Sequence, residues 1–497
     1  MDKIEFQKLA TEGYNRIPVW RSVLADLDTP LSVYLKLADG GDTFLFESVE
    51  GGETWGRYSI IGLPAARRYQ FSGNEFSIFH HGQQVSVETV SDPLEKVAQL
   101  QAAVKAPMLK ELPVFAGGLV GFFGYENVGN IEARLRTENK PDQLNTPEIL
   151  LLESNELAVF DSLAGRLFLI VNADPAQADA WETTQRRLDQ LAYRLRAGSP
   201  AYPEAAPASE LDESQIKYSI SKDEFIKGVK RCKEYIMAGD VFQVVLSQRM
   251  SVPLKARPLD VYRALRALNP SPYMYFLDLG DSVDKAARTQ IVGSSPEVLV
   301  RVQNGEMLLR PIAGTRPRGQ DALEDQRLEA ELLADPKERA EHLMLIDLAR
   351  NDLGRVCQTG SVKVTEQMLV ERYSHVMHIV SQVEGKLRPE LGVVDAIRAA
   401  FPAGTLSGAP KIRAMEIINE LEPVKRNIYA GAVGYINWLG DTDLAIAIRT
   451  AIIKDGVLHV QAGAGLVADS DPESEWQETL SKGRALINAV NNAAAGL

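Results

Sequence analysis

The irregular order of strand-like and helix-like segments is the feature that most limits the fold of this chain. Before residue 196, short apolar runs between turn residues predict strands, among them TFLFESV, GGLVGFFGY and GRLFLIV, and an amphipathic helix follows them. After residue 214, helices such as KDEFIKGVKRCKEYIMAGD mix with strands such as VFQVVLSQ and LAIAIRTAIIK without a repeated βαβ unit. The pattern therefore predicts an α+β fold, a large intertwined two-domain sandwich of mostly antiparallel sheets with flanking helices.

A segment rich in Pro, Ala and Ser interrupts the hydrophobic pattern near the middle of the chain. It reads RAGSPAYPEAAPASELDES and covers about residues 196–214. Such a composition is typical of a linker, because it offers no apolar face to bury. We expect one domain over residues 1–205 and a second over residues 215–497.

Composition and charge exclude several classes of protein. The 497 residues are 45% hydrophobic and 24% charged, with a net charge of -13, and Lys and Arg form no long runs, which argues against a nucleic-acid scaffold. Cys232 and Cys357 are the two cysteines, so neither a disulfide framework nor a cysteine zinc cluster is expected. The first residues lack an apolar signal region and no run is long enough to cross a bilayer. We expect a cytoplasmic protein without a membrane anchor.

Two Glu-x-x-Glu steps, far apart in the chain, are candidate metal ligands. Glu338 and Glu341 lie in PKERAEHLMLIDLARND, and Glu475 and Glu478 lie in DPESEWQETLSKGRALI. Both stretches have helical periodicity, and residues three apart share one face of a helix. Four carboxylates on two facing helices repel one another unless a hard cation lies between them, and Mg²⁺ is the usual one. The alternative is a pair of solvated helix faces.

Glycine-containing segments near both steps are candidate anion sites. PIAGTRPRG, residues 311–319, places Gly314 and Gly319 beside two arginines, although ordinary loops also contain these residues. In QAGAGLVADSDPE, Gly463 and Gly465 follow an apolar strand, where backbone N–H groups can face a carboxylate. A tight exit from the strand is the simpler explanation. Tyr429 adds a phenolic donor on the preceding strands.

Four further residues carry groups suited to binding or catalysis. Arg449 interrupts the apolar run LAIAIRTA and, if buried, needs either a substrate carboxylate or an internal salt bridge. His375 and His378, in RYSHVMHIVSQVEG, are candidate general bases or satisfied core residues. Glu297, in GSSPEVLVR, is a candidate general acid if burial keeps it protonated, and an ordinary surface carboxylate otherwise.

In this order, the segments resemble those of the chorismate-utilising enzymes, specifically the anthranilate synthase component I family. The resemblance is strong over about residues 220–490, through GDVFQVVLSQ, GSSPE, PIAGTRPRG, EHLMLIDLARNDLGRV, YSHVMHIVS, FPAGTLSGAPKIRAMEIINELEP, YAGAVGYINWLGDTDLAIAIRTA and QAGAG. Residues 20–170 resemble the N-terminal domain of that family more loosely, through FLFES and ETWGRYSIIG. The resemblance implies a regulatory-type domain over residues 1–205 and a chorismate-binding catalytic domain over residues 215–497.

The resemblance also assigns the metal and substrate contacts residue by residue. It implies that Glu341 and Glu478 hold Mg²⁺, with Glu338 and Glu475 behind them through water, and that the metal binds the ring carboxylate of chorismate. The residues matching chorismate contacts are Gly314, Thr315, Tyr429, Arg449, Gly463, Ala464, Gly465 and Lys482.

The implied reaction is the first step of tryptophan biosynthesis. Ammonia adds at ring C2 while the C4 hydroxyl leaves, and loss of pyruvate then gives anthranilate. Because hydroxide is a poor leaving group, an acid must protonate it, and Glu297 matches that role. His378 matches the histidine implicated in the elimination, through proton transfer or positioning.

Two positions favour this reaction over those of sister enzymes. Isochorismate and salicylate synthases carry a lysine at the position of Gln243, where a base activates water. Aminodeoxychorismate synthases typically carry a nucleophilic lysine at the position of Ala313. Because this chain has neither lysine, we expect anthranilate as the product. Aminodeoxychorismate synthase, isochorismate synthase and a catalytically silent binding relative are the alternatives.

The resemblance implies a partner that supplies ammonia. Free NH₃ is scarce at neutral pH, and enzymes of this kind draw it from glutamine. Neither Cys232 in KRCKEY nor Cys357 in GRVCQTG has the setting of a glutaminase nucleophile. We therefore expect a separate glutamine amidotransferase subunit, anthranilate synthase component II, in a heterotetramer of two large and two small subunits.

The N-terminal half carries an expected effector site. In family members inhibited by L-tryptophan, the pocket uses a serine in a motif like FLFES and a Pro-Tyr-Met stretch. Ser48 and the residues Pro272, Tyr273 and Met274 match these positions. ILLLES, residues 149–154, is an alternative source of the serine, but Ser48 is favoured because it precedes WGRYSIIG. Feedback inhibition by tryptophan is thus a hypothesis.

Overall fold

The computed structural model describes residues 1–48, 56–137, 140–198, 211, 213–280, 288–373 and 376–496. Its α-helices are α1 Lys3–Thr11, α2 Pro30–Leu37, α3 Pro93–Ala102, α4 Val128–Ile131, α5 Ala180–Arg196, α6 Lys222–Met237, α7 Pro258–Leu268, α8 Ala322–Ala334, α9 Pro336–Gly354, α10 Val393–Ala400, α11 Gly404–Ser407, α12 Lys411–Leu421 and α13 Pro472–Ala495. Its strands are β1 Ile17–Leu24, β2 Thr43–Glu47, β3 Tyr58–Gly62, β4 Arg67–Ser72, β5 Glu75–His80, β6 Gln83–Thr89, β7 Gly118–Phe123, β8 Ile149–Ser154, β9 Glu156–Asp161, β10 Arg166–Ala173, β11 Lys217–Tyr218, β12 Gln243–Pro253, β13 Tyr273–Leu279, β14 Thr289–Ser295, β15 Val298–Gln303, β16 Glu306–Leu309, β17 Ile312–Pro317, β18 Lys363–Arg372, β19 Val376–Lys386, β20 Gly408–Ala409, β21 Ala432–Asn437, β22 Thr442–Ile446, β23 Thr450–Lys454 and β24 Val457–Leu466.

The strands form two 12-stranded sheets, and neighbouring strands pair antiparallel. The first sheet has the order β1-β10-β9-β3-β2-β13-β14-β23-β24-β12-β11, with β20 beside β12. The second has the order β17-β19-β16-β15-β22-β21-β7-β8-β4-β5-β6, with β18 beside β19. The α+β prediction of mostly antiparallel sheets with flanking helices is confirmed.

The two sheets pack face to face, and helices cover their outer faces. The core between the sheets contains Phe44 and Leu277 from the first sheet and Val120 and Val433 from the second. Separate apolar clusters lie between each sheet and its helices. This layered arrangement follows from strands that are apolar on both faces, because each face must be covered to be removed from water.

Both halves of the sequence contribute to both sheets. In the first sheet β2 pairs with β13, and in the second β7 pairs with β21. These two contacts join strands that precede the expected linker to strands that follow it. Most of the linker lies outside the described residues, and the division at residues 205 and 215 stays a prediction.

The run LAIAIRTAIIK does not form the single strand that the sequence predicts. It divides into the end of β22 and all of β23, which belong to different sheets. Arg449 lies at the break with a φ of 49°, a left-handed conformation that a β-strand cannot contain. The break matters for function, because it places Arg449 outside the two strands and near Glu297.

Within the described ranges, every helix is too short or too polar to cross a lipid bilayer.

Candidate active site

The two Glu-x-x-Glu steps lie in the first two turns of α9 and α13. Asp335 caps α9 by accepting hydrogen bonds from the N–H groups of Lys337 and Glu338, and Asp471 caps α13 by accepting from the N–H of Ser474. In both helices a proline follows the cap, where its missing N–H costs nothing. The sequence thus starts each helix at a fixed distance before its glutamates and places these carboxylates near positive helix ends.

The carboxylates of the two helices influence one another. Burial raises the pKa of Glu341, and the nearby charges of Glu338 and Glu478 raise it further, while a hydrogen bond from Gln243 opposes this. Burial and the charge of Glu478 also raise the pKa of Glu475. The four carboxylates therefore form one negative region across two helices.

Two cations partly balance this negative region. Arg316 Nη1 lies 3.3 Å from Glu338 Oε1, and Lys482 Nζ lies 2.7 Å from Glu478 Oε1. In the part of the chain that the structure describes, no three His, Cys, Asp or Glu side chains converge as a ready metal site. The donors nevertheless suit Mg²⁺, since carboxylate oxygens are the hard ligands that it prefers. If Mg²⁺ bound to Glu478 Oε1, the ion would replace Lys482 Nζ as the partner of that oxygen.

Gln243 connects the glutamates to the strands of the first sheet. Its Nε2 donates to Glu341 Oε1 at 3.0 Å, and a Cβ atom added at Gly465 would lie 2.8 Å from the same Nε2. Gly314, on β17, has a φ of 68°, and a Cβ there would lie 3.2 Å from Glu338 Oε2. Both glycines therefore let strands approach the acidic region closely.

Glu297 is buried between β14 and β15. It is 7% exposed, and burial raises its pKa to about 8, although a hydrogen bond from Thr405 Oγ1 to its Oε1 at 3.0 Å and the charge of Arg449 oppose the shift. Of the two interpretations that the sequence left open, the structure supports the buried one. A carboxyl group with this pKa is protonated at neutral pH and can donate a proton.

His378, on β19, points one nitrogen at a backbone carbonyl. Its Nδ1 lies 2.9 Å from Gly314 O and 3.1 Å from Thr315 Oγ1. A carbonyl oxygen can only accept, so Nδ1 carries the hydrogen and Nε2 of the neutral ring keeps its lone pair. Burial lowers the pKa of His378, which favours this neutral form. His375, the other histidine of this segment, lies outside the described residues.

Arg449 takes part in no salt bridge within the ranges given above. Burial lowers its pKa, while Tyr373 and Glu297 are the nearby groups that raise it. Since Glu297 is protonated at neutral pH, it leaves the guanidinium charge without an anionic partner. The internal salt bridge considered as an alternative is thus not found among the described residues, and Arg449 is suited to bind an incoming carboxylate.

Tyr429 and the glycine segment of β24 are in contact. A Cβ atom added at Gly463 would lie 2.8 Å from Tyr429 Oη, so only glycine lets the hydroxyl lie against this strand. Burial raises the pKa of Tyr429, so it stays a neutral donor. Ala464 is fully buried, and Lys482 Nζ donates to Gly463 O at 3.0 Å. The structure thereby links the predicted substrate contacts on β24 to Glu478, one of the candidate metal ligands.

Two residues near this site were not identified from the sequence. Thr405, on α11, holds Glu297, and Tyr373 lies with its ring centroid 5.6 Å from that of His378. Thr405 lies in FPAGTLSGAPK, and Tyr373 is the tyrosine that begins YSHVMHIVS. Both residues therefore belong to segments that resemble the family. Their types gave no signal, because threonine and tyrosine are common in ordinary turns and strands.

A separate cavity of about 360 Å³ lies against the second predicted site. Ser48, Pro272, Tyr273 and Met274 all line it, whereas Ser154 of the alternative segment does not. Strands of both sheets form its walls, including Asp443 of β22. The cavity is of the size that takes a small ligand.

The cysteines lie in settings that suppress reactivity. Both are buried and free, and burial raises the pKa of Cys232 to about 12 and that of Cys357 to about 11. Such thiols are protonated at neutral pH and make poor nucleophiles.

Comparison with known proteins identifies the family. Residues 49–488 match the family model described as chorismate binding enzyme. Over 493 residues, which are 99% of this chain and 98% of the relative, the chain is 54% identical to anthranilate synthase component 1 of Pseudomonas aeruginosa. The chain belongs to the anthranilate synthase component 1 family of chorismate-binding enzymes.

Two more relatives support this assignment. The chain is 51% identical over 500 residues to anthranilate synthase component 1 of Neisseria meningitidis serogroup B, covering 100% of this chain and 99% of the relative. The crystal structure of anthranilate synthase component I from Streptococcus pneumoniae matches with a TM-score of 0.76 and 39% identity, over 94% of this chain and 99% of that one. The family resemblance inferred from the sequence is confirmed.

Proposed function

We propose that this chain is the synthase subunit of a two-component anthranilate synthase. It converts chorismate and ammonia to anthranilate and pyruvate, as a Mg²⁺-dependent lyase at the first step of tryptophan biosynthesis. The observation that carries the proposal is the proximity of two buried groups, Glu297 with its pKa raised to about 8 and Arg449, which forms no salt bridge among the residues that the structure describes. One supplies a proton to a leaving hydroxyl, and the other binds a substrate carboxylate.

Substrate binding uses the groups that converge on β24. Arg449, Tyr429 and the backbone N–H groups around Gly463, Ala464 and Gly465 hold the side-chain carboxylate of chorismate. Gly314 and Thr315 lie along the ring, and Lys482 adds a positive charge near the acidic helices. The close contact of Tyr429 Oη with Gly463 supports this assignment, because it brings a neutral donor beside the backbone of this segment.

Acid and base chemistry belongs to two buried residues. Glu297 protonates the C4 hydroxyl as ammonia attacks C2. His378 then takes the C2 proton at Nε2, since Nδ1 is engaged with Gly314 O. Loss of that proton and of pyruvate makes the ring aromatic.

The metal site uses the facing ends of α9 and α13. Glu341 and Glu478 would hold Mg²⁺, with Glu338 and Glu475 behind them through water. Bound Mg²⁺ would neutralise the ring carboxylate and stabilise negative charge as the ring rearranges. The raised pKa values of Glu341 and Glu475 support the assignment, because burial first, and the neighbouring glutamate charges second, disfavour the ionised forms of these carboxylates when no cation is bound.

The nucleophile is ammonia rather than water or a lysine. Gln243 is neutral and is held by Glu341, so it cannot act as the base that would activate water. Ala313, opposite Ile379 in the β17–β19 pair, offers no amine. These two positions disfavour isochorismate and aminodeoxychorismate as products.

Ammonia comes from a glutamine amidotransferase subunit, anthranilate synthase component II. The poor nucleophilicity of both cysteines supports a separate glutaminase. We further propose a cytoplasmic heterotetramer of two large and two small subunits. L-tryptophan is proposed to inhibit it from the cavity lined by Ser48 and Tyr273.

The test is an assay of the purified chain with chorismate, MgCl₂ and ammonium chloride at mildly alkaline pH. Fluorescence should report anthranilate, and lactate dehydrogenase coupling should report one pyruvate per anthranilate. Addition of EDTA should stop both signals, and excess MgCl₂ should restore them. Absence of anthranilate with folded protein and intact chorismate would refute the proposed function.

A further inference from the structure

A buried ion pair lies directly behind the candidate active site. Arg426 and Glu422 have side chains that are 1% and 3% exposed. Arg426 Nε donates to Glu422 Oε2 at 2.8 Å, and Arg426 Nη2 donates to Glu422 Oε1 at 2.6 Å. Because both charges are withdrawn from water, the arrangement requires that every donor be satisfied within the protein.

The remaining donors of Arg426 reach two other elements of the site. Nη1 donates to Leu406 O and Nη2 to Val245 O, each at 2.8 Å. Leu406 directly follows Thr405, which holds Glu297. Val245 lies on β12, two residues after Gln243. One guanidinium therefore connects the support of the candidate acid with the strand that carries Gln243.

The same guanidinium also packs against Tyr429. Its central carbon lies 5.5 Å from the centroid of the Tyr429 ring and 4.8 Å from that of Tyr125. The N–H of Tyr429 donates to Arg426 O at 3.2 Å. Both the backbone and the ring of Tyr429 are thus in contact with Arg426.

Glu422 extends the connection to β24. Its Oε1 accepts hydrogen bonds from the N–H of Ser247 at 2.8 Å and from Ser247 Oγ at 2.7 Å. Ser247 is the residue of β12 that lies opposite Gly463. The ion pair thereby fixes β12, which is the neighbour of the strand against which the Tyr429 hydroxyl lies.

We infer that Arg426, paired with Glu422, is a positioning residue that fixes Tyr429, the Thr405 turn and β12 relative to one another, so that chorismate meets all three groups together. The inference rests on the proposed function, since it concerns the same substrate. A planar guanidinium is required because it donates hydrogen bonds to Glu422, Leu406 O and Val245 O in fixed directions. At the same time it packs against the rings of Tyr125 and Tyr429. A lysine at position 426 would keep the positive charge but could not donate hydrogen bonds in these fixed directions.

The test compares Arg426→Lys with Arg413→Lys in steady-state kinetics over a range of pH. Arg413 is a matched control, because it also pairs with a glutamate and lies over a tyrosine ring, but on the surface beside Asp240. We expect Arg426→Lys to raise the KM for chorismate roughly 10-fold or more, since substrate contacts are lost in binding. The alkaline limb of kcat/KM should move to higher pH, because the Thr405 hydrogen bond that lowers the pKa of Glu297 is weakened. Arg413→Lys should change neither quantity.

A purely structural role would give a different result. Arg426→Lys would then lower only the fraction of active enzyme, with wild-type KM and wild-type pH profile, and this outcome would overturn the inference. If Arg426→Lys does not fold, Ser247→Ala decides the matter, because it removes one contact of Glu422 and spares the ion pair. A raised KM in Ser247→Ala supports the inference, and an unchanged KM overturns it. Failure of wild-type protein to make anthranilate would instead count against the proposed function.

Discussion

At the scale of single residues, burial separates glutamates of the same chemical type into different roles. Burial raises the pKa of Glu297 to about 8, although a hydrogen bond from Thr405 and the charge of Arg449 oppose the shift. Glu422 is also buried, but it forms a salt bridge with Arg426. The first can give up a proton at neutral pH, and the second can only hold structure.

Replacement of Glu297 by glutamine should separate activity from stability. We expect anthranilate formation to fall roughly 10²-fold or more, because glutamine cannot protonate the leaving hydroxyl. Folding raises the pKa of Glu297 from 4.5 to about 8, so the wild-type free energy of unfolding falls as pH rises between these values. Above pH 8, Glu297→Gln should therefore melt no earlier than wild type, as followed by circular dichroism.

The pH profile of the wild type should agree with this assignment. Glu297 is protonated below its pKa, so activity should be present at neutral pH and fall as pH rises through about 8. Glu306→Gln, a change at an exposed position of β16, is the control and should keep both activity and profile. A Glu297→Gln enzyme with wild-type activity would contradict the assignment of the acid.

Single residues were also where motif matching was most informative. Glu297, His378 and Arg449 could all be named as candidates from the sequence, but their burial and their contacts could not be predicted from it. Whether Arg449 has an internal partner depends on residues distant in sequence, and nothing local in LAIAIRTA indicates it. Arg426 was missed for the same reason, because its importance lies in contacts with α11, β12 and Tyr429.

At the scale of elements, the glycine segment of β24 should tolerate no side chain at its centre. A Cβ atom at Gly463 would lie 2.8 Å from Tyr429 Oη and 3.0 Å from Leu246 O. We expect Gly463→Ala to raise the KM for chorismate roughly 10-fold or more, because Tyr429 must move away from the bound carboxylate. Gly354→Ala, near the end of α9 with open space around it, is the control and should bind normally. Normal KM values in both variants would contradict the predicted contact.

The helices α9 and α13 should depend on each other through the metal. We expect Glu478→Gln to raise the MgCl₂ concentration needed for half-maximal activity by roughly 10-fold or more, because it removes one proposed ligand. Glu473→Gln, in the first turn of α13 and paired with Lys222, should leave it unchanged. Isothermal titration with Mg²⁺ in the presence of chorismate provides a readout apart from turnover. Equal Mg²⁺ dependence in the two variants would rule out Glu478 as a ligand.

Most element boundaries followed from local patterns, and the failures had long-range causes. The starts of α9 and α13 were predictable because Asp-Pro caps act within one turn. The division of LAIAIRTAIIK between two sheets was not predictable, since both pieces are apolar and their side-chain patterns do not distinguish them. Only packing against the opposite sheet requires the turn at Arg449.

At the scale of the whole molecule, the two sheets place the candidate effector cavity between halves of the chain. Ser48 follows β2 and Tyr273 begins β13, and these strands pair at the junction between the halves. A ligand in the cavity therefore contacts strands that continue to the active site. Ser295, opposite Tyr273, lies two residues before Glu297.

We expect Ser48→Phe to abolish inhibition by L-tryptophan while retaining activity with ammonium. A phenyl group would fill part of the cavity of about 360 Å³. Ser154→Ala, at the alternative serine on β8, should remain inhibitable. Inhibition curves with increasing tryptophan measure both variants. A Ser48→Phe enzyme with wild-type inhibition would place the effector site elsewhere.

The chain alone should lack glutamine-dependent activity. Both cysteines have raised pKa values and are buried, so neither can form a glutaminyl thioester. We expect product with ammonium chloride, no product with glutamine, and glutamine-dependent product once component II is added. Glutamine-dependent synthesis by the isolated chain would contradict the need for that partner.

The class of fold, including its intertwined arrangement, was predictable, but the order of the strands was not. Antiparallel sheets follow from the irregular element order, whereas strand order depends on pairing between distant residues such as Phe44 and Leu277. Strands from before and after the linker-like segment share both sheets, and each half alone would leave sheet edges and apolar faces exposed.

The most direct test of the central claim is mass spectrometry of the product formed from chorismate, MgCl₂ and ¹⁵N-labelled ammonium. We expect anthranilate that carries one ¹⁵N, with one pyruvate released per molecule of anthranilate. Labelled aminodeoxychorismate or unlabelled isochorismate would contradict the interpretation of Ala313 and Gln243, and unreacted chorismate would show a binding protein without catalysis.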